Sequence, residues 1–248
     1  MKIYLGLDVS TSCIGISVSA YDGENIKVLH ISHLRLKSSR KASQMENLFN
    51  KCETFHQHLL KFTEYGITDV IIEEPLISSN NSVTASILLR FNGMISRSVY
   101  SILGVIPDFI SSYDARKYGF PELMSVRKFN KKGEIYTVKH IRKAMKKSNV
   151  VLFGSYPFTC EKKFVLWNKI CERYPDIEWV YNKNNELKNE NFDASDSLVC
   201  VMGYINKIEN NGSEAEILEY EEQTFEEGTI FRYKVKFCGK TYDKVLEI

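Results

Sequence analysis

The segment Lys2–Val9 is apolar at most positions, with Asp8 near its end, and such a run belongs in the middle of a sheet, covered on both faces. Its neighbours follow at once. Ser10-Thr11-Ser12 turns the chain, and Cys13–Tyr21 carries small residues, Gly15, Ser17 and Ser19, at alternate positions. Asp22-Gly23 is a strong hairpin signal, after which residues 26–36 alternate as a third strand. The first third therefore predicts a three-strand meander.

Helical spacing takes over next. Met45, Leu48, Phe49, Cys52, Phe55, Leu59 and Phe62 recur at three- and four-residue intervals, predicting an amphipathic helix over residues 41–65 capped by Gly66. A strand over residues 68–74 is stopped by Pro75, and a long helix, Ser82–Leu103, ends at Gly104. A fifth strand is expected over residues 106–113 and helices over 136–147, 160–173 and 193–209. Residues 215–248 alternate like strands and turn at Cys238-Gly239-Lys240. The order predicts an α/β fold: a mixed five-stranded sheet flanked by helices over residues 1–210, with a basic insertion at about 116–190. A small β-rich extension, 211–248, completes it.

With 248 residues, 44% of them hydrophobic, the chain can bury a substantial core. The net charge of +2 hides a strong asymmetry. Residues 116–147 hold eleven Lys and Arg against two Glu, whereas residues 208–228 hold eight Glu and no cation. One region is thus suited to a polyanion, and another is acidic. Cys13, Cys52, Cys160, Cys171, Cys200 and Cys238 have no CxxC or metal-finger spacing and read as reduced core residues. No apolar run approaches the roughly 20 residues of a membrane span, so a cytoplasmic protein without a membrane partner is expected.

Three of the apolar segments carry acids at their edges. Asp8 closes the first, Glu73 and Glu74 close the fourth strand, and Asp193 and Asp196 open the last helix. Asp at a helix start has an ordinary capping and dipole role, and Glu at a strand end is often merely solvated. Collected in one topology, the same acids offer hard oxygen ligands to divalent cations. Strand alternation turns Glu74 away from Glu73, so Glu73 is favoured and Glu74 is the alternative.

Gly6-Leu7-Asp8-Val9-Ser10-Thr11-Ser12-Cys13-Ile14-Gly15 resembles the first motif of RuvC-type Holliday-junction resolvases, of the RNase H-like superfamily. Ile71-Ile72-Glu73-Glu74-Pro75 is similar to their second motif, Tyr113-Asp114-Ala115-Arg116 to the segment after their fifth strand, and Asp193-Ala194-Ser195-Asp196 to their closing Asp-x-x-Asp. The resemblance implies hydrolysis of branched DNA (four-way junctions, forks, flaps) by a homodimer using two Mg²⁺ ions, with Mn²⁺ able to substitute. It implies Asp8, Glu73, Asp193 and Asp196 as ligands. The family's lysines near the scissile phosphate have no aligned match here, and Lys132 and Lys139 are the candidates to replace them. Arg116, Lys117, Arg127, Lys128, Lys131, Lys132, Lys139 and Arg142 form the expected DNA-binding set. The longer span before the last helix points to a phage or viral branch. Two rivals share parts of the pattern: an actin-like or sugar-kinase-like ATPase, and a non-catalytic nucleic-acid-binding or virion protein.

Overall fold

A computed structural model describes residues 1–75, 82–147, 151–156 and 161–248. The chain forms two compact units, Met1–Ala115 with Leu166–Met202, and Arg116–Val165 with Gly203–Ile248.

The first unit is built on five strands: β1 (Lys2–Val9), β2 (Cys13–Tyr21), β3 (Ile26–Arg35), β4 (Asp69–Glu73) and β5 (Asp108–Ile110). Their order in the sheet is β3-β2-β1-β4-β5. The first three strands pair antiparallel, whereas β4 runs parallel to both β1 and β5. This is the mixed five-stranded α/β sheet expected from the sequence.

Alternation assigns each face of β1. Ile3, Leu5, Leu7 and Val9 join Ile14, Ile16 and Val18 of β2 in one core. That core also takes in α1 (Gln44–Leu59), through Leu48, Phe55 and Leu59, and α2 (Ser82–Leu103), through Phe91, Ile95 and Val99. Helix α1 starts at a capping box in which Ser43 Oγ accepts from Glu46 N–H while Glu46 accepts from Ser43 N–H. It continues as a 3-10 turn, Leu60–Tyr65, that ends at Gly66 in the left-handed conformation (φ 63°). Because Phe91, Ile95 and Val99 are fully buried in this core, the exposed apolar residues of α2 are Val83, Leu89 and Tyr100.

The opposite face of β1 and β2 presents Gly6, Gly15, Ser17 and Ser19, and against it lies α6 (Glu190–Glu209). A Cβ on Gly6 would overlap the carbonyl oxygen of Ser197 and Cγ2 of Val201, and one on Gly15 would overlap the carbonyl of Asp193. Gly6 of β1 and Gly15 of β2 are therefore what allows the helix to approach so closely.

The fifth strand is shorter than predicted. It stops at Ile110, and α3 (Ser112–Gly119) begins immediately after Ser111. Ser111 Oγ accepts from Asp114 N–H at 3.1 Å and the Ser111 carbonyl accepts from Ala115 N–H at 2.8 Å, so a serine cap overrides the strand-like residues that follow. The last helix begins three residues before Asp193, which places Asp193 in its first turn and Asp196 in the second.

In the second unit, β6 (Met124–Val126) and β7 (Val151–Phe153) form a two-stranded antiparallel ribbon beside α4 (Val138–Met145). Three further strands, β8 (Glu216–Phe225), β9 (Gly228–Phe237) and β10 (Lys240–Glu247), make an antiparallel sheet. The turn into β10 has φ 49° at Cys238 and 70° at Gly239, as a two-residue primed turn requires. Phe231, Tyr233, Val235 and Phe237 alternate inward on β9 and meet Met124, Val126, Ile141 and Met145 in a single core. The basic segment and the C-terminal strands thus share one unit, a different division from a separate insertion and tail. The remaining helix, α5 (Lys162–Arg173), follows the segment that includes Cys160, which lies outside the described residues. Among the described residues no helix is long and apolar enough to cross a membrane.

Candidate functional site

Strand register sets out the acids. Gly6 pairs with Ile71 and Leu7 with Ile72, so Asp8 and Glu73 are the next step along the parallel pair β1–β4. Asp8 lies on the same face as Gly6, and Glu73 on the same face as Ile71. That face is the one covered by α6. Glu74 alternates to the other side, is exposed, and its N–H donates to the Ile110 carbonyl at 2.8 Å.

The helix brings its acids to the same place. Asp8 pairs with Gly15, and the backbone of Asp193 occupies the space a side chain at Gly15 would fill. Asp196 is buried at 8% exposure, one helical turn before Cys200. Cys200 Sγ lies 4.0 Å from Glu73 Oε2. Along the edge the order is therefore Asp193 over β2, Asp8 on β1 and Glu73 on β4, with Asp196 on the helix turn between Asp193 and Cys200.

Several neighbours escaped the sequence reading. Burial pushes the Cys13 thiol up to about 12, and a hydrogen bond to Asp193 and the charges of Asp193 and Asp8 act in the same direction. His33 is the register partner of Gly15 on β3. Burial holds its pKa below the usual range, Arg35 adds to that, and Asp193 opposes it. Arg35 pairs with Glu190 at the start of α6, tying the far end of β3 to the helix that carries the acids. In sequence these residues looked like core or solvated positions. The alternation that pointed Gly15 toward α6 was the signal that would have found Cys13, since both share a face.

The turn after Asp8 is tightly held. Ser10 Oγ donates to the Cys13 carbonyl at 2.8 Å and accepts from Cys13 N–H at 3.0 Å. Lys51 of α1, largely buried, donates to the Thr11 carbonyl at 2.7 Å. The Ser10 hydroxyl is therefore a turn-making group.

The donor set is all oxygen and suits a hard divalent cation. Its side chains do not, as they stand, close on one point: among the described residues no group of three or more His, Cys, Asp or Glu is arranged to hold a metal ion. The backbone brings the four acids to one edge of the sheet.

The cations expected to bind DNA all fall at or beyond Arg116, in the second unit. Arg127, Lys131, Lys132, Lys139 and Arg142 are exposed, and Arg116 and Lys128 partly so. Arg142 Nε lies 2.8 and 2.9 Å from the two Glu222 carboxylate oxygens. Lys117 differs: only 4% exposed, it donates to Glu214 at 2.9 Å and lies over the rings of Tyr118 and Phe237 at 4.9 and 5.4 Å. Its ammonium is buried, with the exposed Glu214 carboxylate as an acidic partner. Tyr118 and Phe120, beside these cations in sequence, are buried packing residues.

The sequence matches no protein-family model and no curated protein. Its structure resembles Thermus thermophilus RuvC in complex with a Holliday junction substrate, at 12% identity and a TM-score of 0.51, covering 86% of this chain and 99% of that one. A second Thermus thermophilus RuvC structure matches at 10% identity and 0.50, covering 86% and 98%. The Fowlpox virus resolvase bound to Holliday junction DNA matches at 13% identity and 0.40, covering 83% and 98%. The fold is the RuvC-type, RNase H-like fold.

Proposed function

We propose that this chain is a divalent-metal-dependent endonuclease that cuts branched DNA, four-way junctions foremost. The observation that carries this reading is the acidic edge: Asp8 and Glu73 on neighbouring parallel strands, with Asp193 and Asp196 on the helix packed over Gly6 and Gly15. A RuvC-type fold around that edge supports the same reading.

Asp8, Glu73, Asp193 and Asp196 would hold the cations. Two Mg²⁺ ions there would activate a water and stabilise the leaving 3′ oxygen, and Mn²⁺ would substitute. Asp8 sits between the Asp193 side of the edge and the Glu73 side, which suits it to serve both. Cys13, kept protonated, orients the Asp193 carboxylate by donating to it. Lys51 and Ser10 fix the turn that follows Asp8 and so fix the end of β1. Arg127, Lys131, Lys132, Lys139 and Arg142 supply phosphate contacts. The enzyme works in the cytoplasm as a homodimer, because symmetric resolution needs opposed cuts on two strands.

The test is cleavage of a synthetic four-way junction. Nicking with Mg²⁺ or Mn²⁺, and none with chelator, is expected, with Asp8→Asn binding the junction but cutting it at least about a hundredfold more slowly. Wild-type cleavage by Asp8→Asn would remove the assignment. ATP turnover without DNA would favour a kinase-like activity instead.

A further inference from the structure

The second unit holds a cavity of about 360 Å³ that the acidic edge does not use. Its volume lies in the range of small-ligand pockets, roughly 300–1,000 Å³. Ala144 and Leu152 give it an apolar lining, over the fully buried Ile141. Tyr136 and His140 add two rings whose centroids are 5.5 Å apart, with planes inclined at 43°. Thr137 Oγ1, 2.7 Å from His140 Nδ1, fixes the plane of the imidazole. Arg127, Lys143 and Lys147 line the same cavity and are all exposed, while no carboxylate among the described residues lines it.

Rings and aliphatic carbon inside, with three cations, select a ligand that is flat and aromatic at one end and anionic at the other. A bare phosphate would make no use of the rings. A purely apolar ligand would not account for three cations without a balancing acid. We infer that the cavity takes a nucleotide, its base against Tyr136 and His140 and its phosphate against Arg127, Lys143 and Lys147. For the source of that nucleotide the inference rests on the nuclease reading: it is an unpaired residue of the DNA at a branch.

Binding to a duplex carrying one bulged base is compared with binding to the same duplex fully paired, in chelator so that nothing is cut. Titrations with free dAMP and with inorganic phosphate accompany them. The wild type should prefer the bulge by about tenfold, the order of one stacked base. Tyr136→Leu should erase the preference while leaving the paired duplex within about twofold. Lys147→Glu, an exposed change that keeps the fold, should weaken both dAMP and the bulged duplex, and it stands alone if Tyr136→Leu does not fold. A preference that survives Tyr136→Leu, no preference in the wild type, or phosphate binding as tight as dAMP overturns the inference. If the wild type binds no DNA, the nuclease reading fails and the dAMP titration decides the cavity separately. Binding weakened by Lys147→Glu then supports a free nucleotide, and no binding overturns the cavity assignment.

Discussion

Gly15 lies where the backbone of Asp193 needs room, and the space left by its missing side chain is occupied by the Asp193 carbonyl. Since Gly15 is also the register partner of Asp8, this one contact sets how near the helix acids come to the strand acid. Gly15→Ala should push α6 away from β2. Overpacking of this kind costs about 1–3 kcal/mol, or a fall of roughly 2–12 °C in Tm for a chain of this size. Calorimetry and a cleavage assay should show both losses together. An alanine variant with unchanged Tm and activity would mean that the close approach is unimportant.

The salt dependence of DNA binding offers a second check. Replacing Lys131, Lys132, Lys139 and Arg142 by Ala removes four exposed cations. Each phosphate contact contributes about 0.9 to the slope of log K against log salt. Arg142 is already bound through two oxygens to Glu222 and should contribute least, so the slope should fall by about three. Anisotropy titrations over a series of salt concentrations would read it. An unchanged slope would take these residues out of the interface.

Alkylation tests the electrostatics of the second unit. Burial pushes the Cys238 thiol up to about 11, against the smaller opposing effects of Lys117 and Lys240. The thiolate is the reactive form, so the folded protein should alkylate slowly at pH 8 and faster as pH rises toward 11. The raised value also means that Cys238 favours folding below the unfolded thiol pKa, and that this contribution is lost as pH rises through the folded one. Mass spectrometry of iodoacetamide-treated protein, native against denatured, would measure the difference. Equal rates at pH 8 would contradict the burial.

Much of the first unit was legible in sequence because its signals are local. A nearly continuous apolar run marked β1, alternation marked β2 and β3, three- and four-residue spacing marked α1 and α2, and Gly66 marked the helix end. Ser111 was missed because its cap competes with strand-like neighbours, and the hydrogen bond to Asp114 decides the contest. The second unit was not legible as one body. Its core joins segments about a hundred residues apart, as in the bond from Val126 N–H to Tyr233 Oη at 3.2 Å, and periodicity carries no information at that range. At the acidic edge, alternation separated Glu73 from Glu74. Cys13 and Cys200 were invisible as neighbours because their apolar contexts resemble any buried position, and His33 because its place beside Gly15 is set by pairing across β2 and β3.

Whether acids from β1, β4 and α6 gather about divalent cations is decided by calorimetric titration with Mn²⁺ in the absence of DNA. Saturable binding by the wild type, lost in Asp8→Asn and weakened in Glu73→Gln, is the predicted result. No binding by the wild type, or the same isotherm for wild type and Asp8→Asn, would contradict it.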